Sequence, residues 1–297
     1  MQKSTFMLTA LLGALLTTAP ASAAIVTSDL QLHFDAGSLT GLSNGDDVST
    51  WDDSSGNNRD ANNVINTAPS YVDAANGFNS LPAVHFNGAA GVEGLSGTFI
   101  GNEFSLNNAS IVVVYRSNST ASGGETVISL DQNGGTENGT NKGFVYLNRY
   151  ANDTLFATYD GSSGDNGGSQ DLGPNNYSSG DLFIFTSTWQ SPSTVTLRAL
   201  GDNTFEDNTY TDTGVSQTIE RFTLGVLNNG TSAPLRDADV FEILVYNTAL
   251  TDSQIRANEF ALTSKYGITY ALPEPSTGAM LLLALSGLAA RRQRRND

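Results

Sequence analysis

Cysteine is missing from this chain altogether, which rules out disulfides, thiolate nucleophiles and cysteine-held metals. Histidine is nearly missing: there are two, His33 and His85. No His-x-x-x-His pair exists to begin a zinc site, and each histidine sits inside a strand-like run, so both are expected as half-buried strand residues. Basic residues are few, 14 against 30 acidic ones in 297 positions, for a formal charge of −16. Such a balance repels nucleic acid and anionic lipid, while neutral glycans, cations and basic partners remain open. Phosphate loops are missing as well, because the glycines fall in polar turn clusters rather than between a strand and a helix. Long charge-free apolar runs occur only at the two ends.

At the N-terminus Lys3 precedes the apolar run 6–16, and Ala21-Ser22-Ala23 supplies a small-residue cleavage pattern. Residues 1–23 therefore read as a signal peptide, cut between Ala23 and Ala24. At the other end Pro273-Glu274-Pro275-Ser276 leads into the uncharged run 278–290, followed by Arg291, Arg292, Arg294 and Arg295. Apolar side chains prefer bilayer to water and arginines resist translocation, so the arginine end is expected to stay cytoplasmic, with the body on the far side. The run falls short of the ~20 residues of a full span, which suits a temporary anchor. Without Lys3, the four tail arginines, Glu274 and Asp297, the body keeps 28 acids and nine bases, a charge of −19.

The body, 24–271, is rich in Gly, Asn, Asp, Ser and Thr, set between short apolar or alternating runs. Strands are predicted at 30–34, 83–86, 111–115, 126–130, 144–147, 154–159, 182–189, 194–200, 222–226 and 240–246. Turn clusters such as Asn133-Gly134-Gly135 and Asn228-Asn229-Gly230 separate them. With almost no helical periodicity, this rhythm predicts an all-β chain: a two-sheet antiparallel sandwich forming one domain. One helix stands out. Thr251-Asp252-Ser253-Gln254 has the form of a capping box, Ile255, Leu262 and Tyr266 share a face, and Gly267 is placed to end the helix.

Two resemblances now follow from these residues. The tail, with Pro273, Glu274 and Pro275, a short apolar helix and an arginine cluster beginning at Arg291 and Arg292, resembles the PEP-CTERM sorting signal of Gram-negative bacteria. That resemblance implies processing of 272–297 by an inner-membrane exosortase after transient anchoring, and a final place in the envelope, on the surface or in the extracellular matrix. The body resembles a laminin-G-like, concanavalin A-like domain. Leu32-His33-Phe34-Asp35-Ala36, the stretch from Val48 through Trp51-Asp52-Asp53 to Asn58, and Leu81-Pro82-Ala83-Val84-His85-Phe86-Asn87-Gly88 look like its opening. The run from Phe241 to Leu250, continuing to Ile268, is similar to its last strand and closing helix. The resemblance implies a jelly-roll sandwich and leaves the activity open, since members bind glycans, bind proteins, carry calcium or serve as structural modules.

Chemistry-bearing candidates are few. Asp237-Ala238-Asp239-Val240-Phe241-Glu242 resembles the Glu-x-Asp-x-x-Glu strand of laminarinase-type retaining glycosidases, in which two carboxylates flank the sugar bond roughly 5 Å apart. On a regular strand Asp237 and Asp239 share a face while Glu242 points the other way, and only a bulge would bring it round. The leading residue is also Asp where that pattern has Glu, and its shorter side chain would misplace the nucleophile. Calcium takes about 6–8 oxygen ligands, for which Asp35, Asp52, Asp53, Asp237 and Asp239 are the candidates, set against an ordinary role of Asp in turns. Tyr177 and Tyr210, expected in polar loops, are candidates to stack on sugar rings, whereas Trp51 and Trp189 are expected in the core. The leading expectation is an exported surface or matrix protein with no enzymatic activity that recognises a glycan or another surface component, with calcium assistance open. A secreted jelly-roll glycosidase and a purely structural matrix protein are the alternatives.

Overall fold

The computed structural model describes residues 24–269 apart from short segments, the longest being 119–124, 132–143, 161–169, 172–179 and 212–217. Within 144–171 it describes backbone strands alone. The expected signal peptide and sorting tail, and Tyr177, lie outside the described residues.

Along the chain run β1 (Leu30–Asp35), β2 (Asn63–Asn66), β3 (Ser70–Val72), β4 (Ala83–Phe86), β5 (Glu93–Thr98) and β6 (Phe104–Ser105). Next come β7 (Asn108–Ser117), β8 (Thr126–Asp131), β9 (Phe144–Tyr150), β10 (Thr154–Asp160), β11 (Gln170–Asp171) and β12 (Leu182–Gln190). The series closes with β13 (Thr194–Gly201), β14 (Thr204–Thr211), β15 (Thr218–Ile219), β16 (Arg221–Leu224), β17 (Ala238–Tyr246) and the helix α1 (Asp252–Tyr266). One sheet has the order β14-β13-β12-β7-β17-β4-β3, with β1 also paired to β17. The second has the order β11-β10-β9-β8-β16-β5-β2, and β15 pairs with β6 apart from both. Pairing within the sheets is antiparallel throughout. All ten predicted strands are present; most run one to five residues longer, while the one predicted at 222–226 spans Arg221–Leu224.

The expected all-β class is therefore seen, and burial explains its sequence pattern. The first sheet is covered on both faces, which is why β7 and β17 read as continuous apolar runs rather than alternating ones. On its inner face Phe34, Val113, Phe185 and Ile243 meet Leu95, Ile128, Phe222 and Leu224 of the second sheet, with Trp51 and Trp189 in the same core. On its outer face Val112, Ile184, Leu244 and Tyr246 meet Ile255, Leu262 and Tyr266 of α1. Strand β1 shows the half-buried alternation: Leu32 and Phe34 are fully buried, His33 and Asp35 partly so.

The helix forms where its caps predict. Thr251 Oγ1 accepts the Gln254 N–H, the Thr251 N–H donates to Gln254 Oε1, and Gly267 ends the helix in the left-handed region at φ 68°. Among the described residues no helix is long and apolar enough to cross a membrane. One expectation is corrected. Tyr210 does not lie in a loop but in β14, the polar edge strand of the first sheet, opposite Val195.

Candidate functional site

The bulge that the carboxylate pattern required is present. Strand β17 pairs Val240 with Tyr115 and then Glu242 with Val114, leaving Phe241 as the extra residue. Val240 and Ile243 consequently both enter the core between the sheets, while Phe241 and Leu244 both face the helix. Strict alternation would put only one member of each pair there. Glu242 stands at this irregularity and escapes the apolar core toward the helix side.

There it gathers four neighbours. Its register partner on β1 is Asp35. His33 Nε2 donates to Glu242 Oε1 at 2.7 Å, and the Tyr266 hydroxyl donates to Oε2 at 2.7 Å. The Lys265 ammonium donates to Glu242 Oε2 at 2.7 Å and to Asp35 Oδ2 at 2.8 Å. Burial alone would raise the Glu242 pKa, but the bonds from His33, Lys265 and Tyr266 outweigh it and hold the carboxyl below its ordinary value. Burial and the Glu242 charge together push the Tyr266 phenol far up, so it remains a donor. Lys265 keeps a raised pKa because Glu242 and Asp35 outweigh its burial. Exposure runs from Glu242 at 3% of its side chain through Asp35 at 23% to Lys265 at 36%, so the ionised carboxylate lies at the bottom of a half-open cluster.

A second network adjoins it on β17. Asp239 Oδ1 accepts from His85 Nδ1 at 2.8 Å, and Arg116 Nη2 lies 2.9 Å from Oδ2. These three are register partners across β4, β17 and β7. The bond to Asp239 raises the His85 pKa against the opposing effect of burial.

The remaining candidates are placed elsewhere. Asp237 is exposed at φ 43°; its carbonyl accepts from the Asn118 N–H at 2.7 Å, and its carboxylate accepts a long bond, 3.4 Å, from the Asn118 side chain. The structure thus breaks the Asp237–Asp239–Glu242 grouping into an exposed turn and two separate networks. Asp53 is spent on its loop, accepting from the N–H groups of His33, Ser55 and Arg59 and from the Ser55 hydroxyl, and Asp52 is exposed. Among the described residues, the three-residue group with metal-ligand spacing is His33, Asp35 and Glu242, whose ligand atoms lie within 4.8 Å of one another. It contains one calcium candidate, Asp35, and a calcium ion would have to displace the ammonium of Lys265. Sequence reading missed Lys265 and Tyr266 as site residues. Tyr266 belongs to the apolar helix stripe and Lys265 adjoins it in sequence, so neither carries a local signal of its own.

No family model and no curated protein matches the sequence. Solved structures do match. Trypanosoma rangeli sialidase in complex with sialic acid aligns over 84% of this chain at 17% identity with a TM-score of 0.52. A mutant of that sialidase displaying trans-sialidase activity aligns over the same share at 16% identity and 0.52. In both cases the chain spans 35% of the sialidase, about a third of its length. Domain 4 of AbnA, a GH43 extracellular arabinanase from Geobacillus stearothermophilus in complex with arabinotriose, aligns over 78% of this chain and 98% of its own at 18% identity and 0.49. At these identities the likeness to the sialidase is one of fold. It nevertheless overturns the expectation of a non-catalytic module with no enzymatic activity. The sandwich that suggested binding without turnover is shared with about a third of a sialidase.

Proposed function

We propose that the protein is an exported glycoside hydrolase in which Glu242 and Asp35 form the carboxylate pair. The observation that carries this reading is the shared Lys265 ammonium, 2.7 Å from one carboxylate and 2.8 Å from the other. It sets the pair near the roughly 5 Å separation of retaining glycosidases. Glu242, held ionised, attacks the anomeric carbon as the glycosidic bond breaks. Asp35, the more exposed member, passes to the leaving oxygen a proton taken from solvent once Lys265 has moved off, and afterwards takes one from the incoming water as that water displaces Glu242. Lys265, at the end of a flexible stem, withdraws as the sugar enters. Tyr266 orients Glu242 and stays protonated.

The same proposal covers the setting. The sandwich follows the jelly-roll order of the concanavalin A and laminin-G-like folds. The chain is exported with loss of 1–23 and held by its tail until an exosortase reads Pro273, Glu274 and Pro275. Its work is then done on glycans of the envelope or extracellular matrix.

The test is release of reducing ends by the purified full-length protein from a panel of neutral, sialylated and arabinose-containing polysaccharides. The expected result is release by the wild type, retention of anomeric configuration, and a loss of about 100-fold or more in Glu242→Gln and Asp35→Asn, with near-UV circular dichroism unchanged. A wild type that releases nothing, or a folded Glu242→Gln variant as active as wild type, would overturn the assignment.

A further inference from the structure

A polar cleft lies on the other sheet. The loop that follows β1 settles onto β5 at Gly97, where an added Cβ would meet the Phe222 ring at 2.3 Å and the Asp60 carbonyl at 2.6 Å. Beside this contact opens a cleft of about 340 Å³ whose lining includes Arg59, Asn62, Asn63, Ser96, Thr98 and Arg221. That volume falls at the lower end of small-molecule sites, roughly 300–1,000 Å³.

The walls are held by bonds already made. Arg221 donates from Nε and Nη2 to Asp131 at 2.7 and 2.9 Å. The Arg59 guanidinium donates to the Gln31 carbonyl and side chain, 5.3 Å above the Phe99 ring. The Asn63 amide donates to the Ser96 hydroxyl at 2.9 Å. Side chains fixed in this way lose little freedom on binding. What they offer is mixed: guanidinium donors, amides that donate and accept, and hydroxyls that do both.

Charge decides the ligand class. The two arginines are balanced by Asp60 in the lining and Asp131 behind Arg221, and the chain as a whole carries −16. An anion gains no net attraction there. A ring bearing several hydroxyls, each both donor and acceptor, matches the lining group for group. We infer that this cleft binds a neutral saccharide, on the face of the sandwich away from Glu242 and independently of any chemistry there.

Calorimetric titration of the full-length protein with neutral trisaccharides of glucose, galactose and arabinose, beside a galacturonic acid trimer, tests the inference. The expected result is saturable binding of a neutral trisaccharide that persists at high salt and in Glu242→Gln. It should weaken about tenfold or more in the exposed double variant Asn62→Ala/Asn63→Ala and in Thr98→Trp, whose side chain would fill the cleft. Absence of binding by all neutral trisaccharides would overturn it. So would binding indifferent to both cleft variants, or salt-sensitive binding confined to the charged trimer. Retained cleft binding without hydrolysis would separate this site's standing from that of the carboxylate pair.

Discussion

Tyr266 donates its hydroxyl to Glu242 across 2.7 Å where the last turn of α1 crosses β17, and its ring stands edge-on to Phe241 at 5.7 Å. Tyr266→Phe keeps the ring and deletes only the donor to a buried charge. The expected cost is about 1.5–3 kcal/mol, read as a lower denaturant midpoint at unchanged slope. Because the Glu242 pKa lies below its ordinary 4.5 in the folded state, its stabilisation is present above that value and lost as pH falls through the lowered one. Losing the phenol raises the folded value, so acid unfolding should begin at a higher pH. An unchanged acid midpoint would show that Tyr266 contributes packing alone.

His85 gives the opposite sign. Its folded pKa is raised above 6.5, first by the bond to Asp239, so its contribution is complete below 6.5 and fades as pH rises through the raised value. Unfolding free energies across about pH 6 to 8 should decline in the wild type and decline less in His85→Gln. Equal slopes would remove the role assigned to the pair.

Arg198, buried on β13, reaches across to Glu259 of α1 with N···O distances of 2.9 and 3.1 Å. Burial, only partly offset by Arg198, pushes Glu259 up to about 7. Arg198→Met should cost about 3 kcal/mol or more by stranding Glu259, whereas adding Glu259→Leu should recover most of that loss. Additive losses in the double variant would argue that the two side chains are not coupled.

Two glycines separate backbone strain from crowding. Gly41 and Gly225 both have positive φ, 77° and 79°. A Cβ at Gly41 meets nothing within 4 Å, while at Gly225 it would lie 2.3 Å from the Phe86 ring. Gly41→Ala should cost about 1 kcal/mol and Gly225→Ala about 2 kcal/mol more. Equal losses in thermal unfolding would contradict this contrast.

What could be read in the chain depended on distance along it. The helix was legible end to end because Thr251, Gln254 and Gly267 act within one turn of their targets. Strands such as β7 and β12 were legible from their own β-branched and aromatic residues. Strand β14 was not: its sequence TFEDNTYT is polar because it lies at the sheet edge. Glycine-bearing β5 was missed for want of apolar residues. At the site, the Asp239 and Glu242 spacing was visible, but the bulge at Phe241 was not, since a bulge exists only relative to a partner strand. Asp35 and Glu242 become neighbours through register, which no local pattern encodes.

The pairing of β1 with β17 also sets an order of events. His33 contacts a residue 209 positions downstream. Just before β1, the Val26 N–H donates to Asn258 and its carbonyl accepts from Tyr246. The first strand made is thus the one that waits longest for its partner. Contacts of such high sequence separation slow folding, because a large loop must close before they are rewarded. A half-finished chain has no native place for β1, so the sheet closes only once almost the entire body is available at one location. A chain of this topology is suited to being threaded first and folded afterwards.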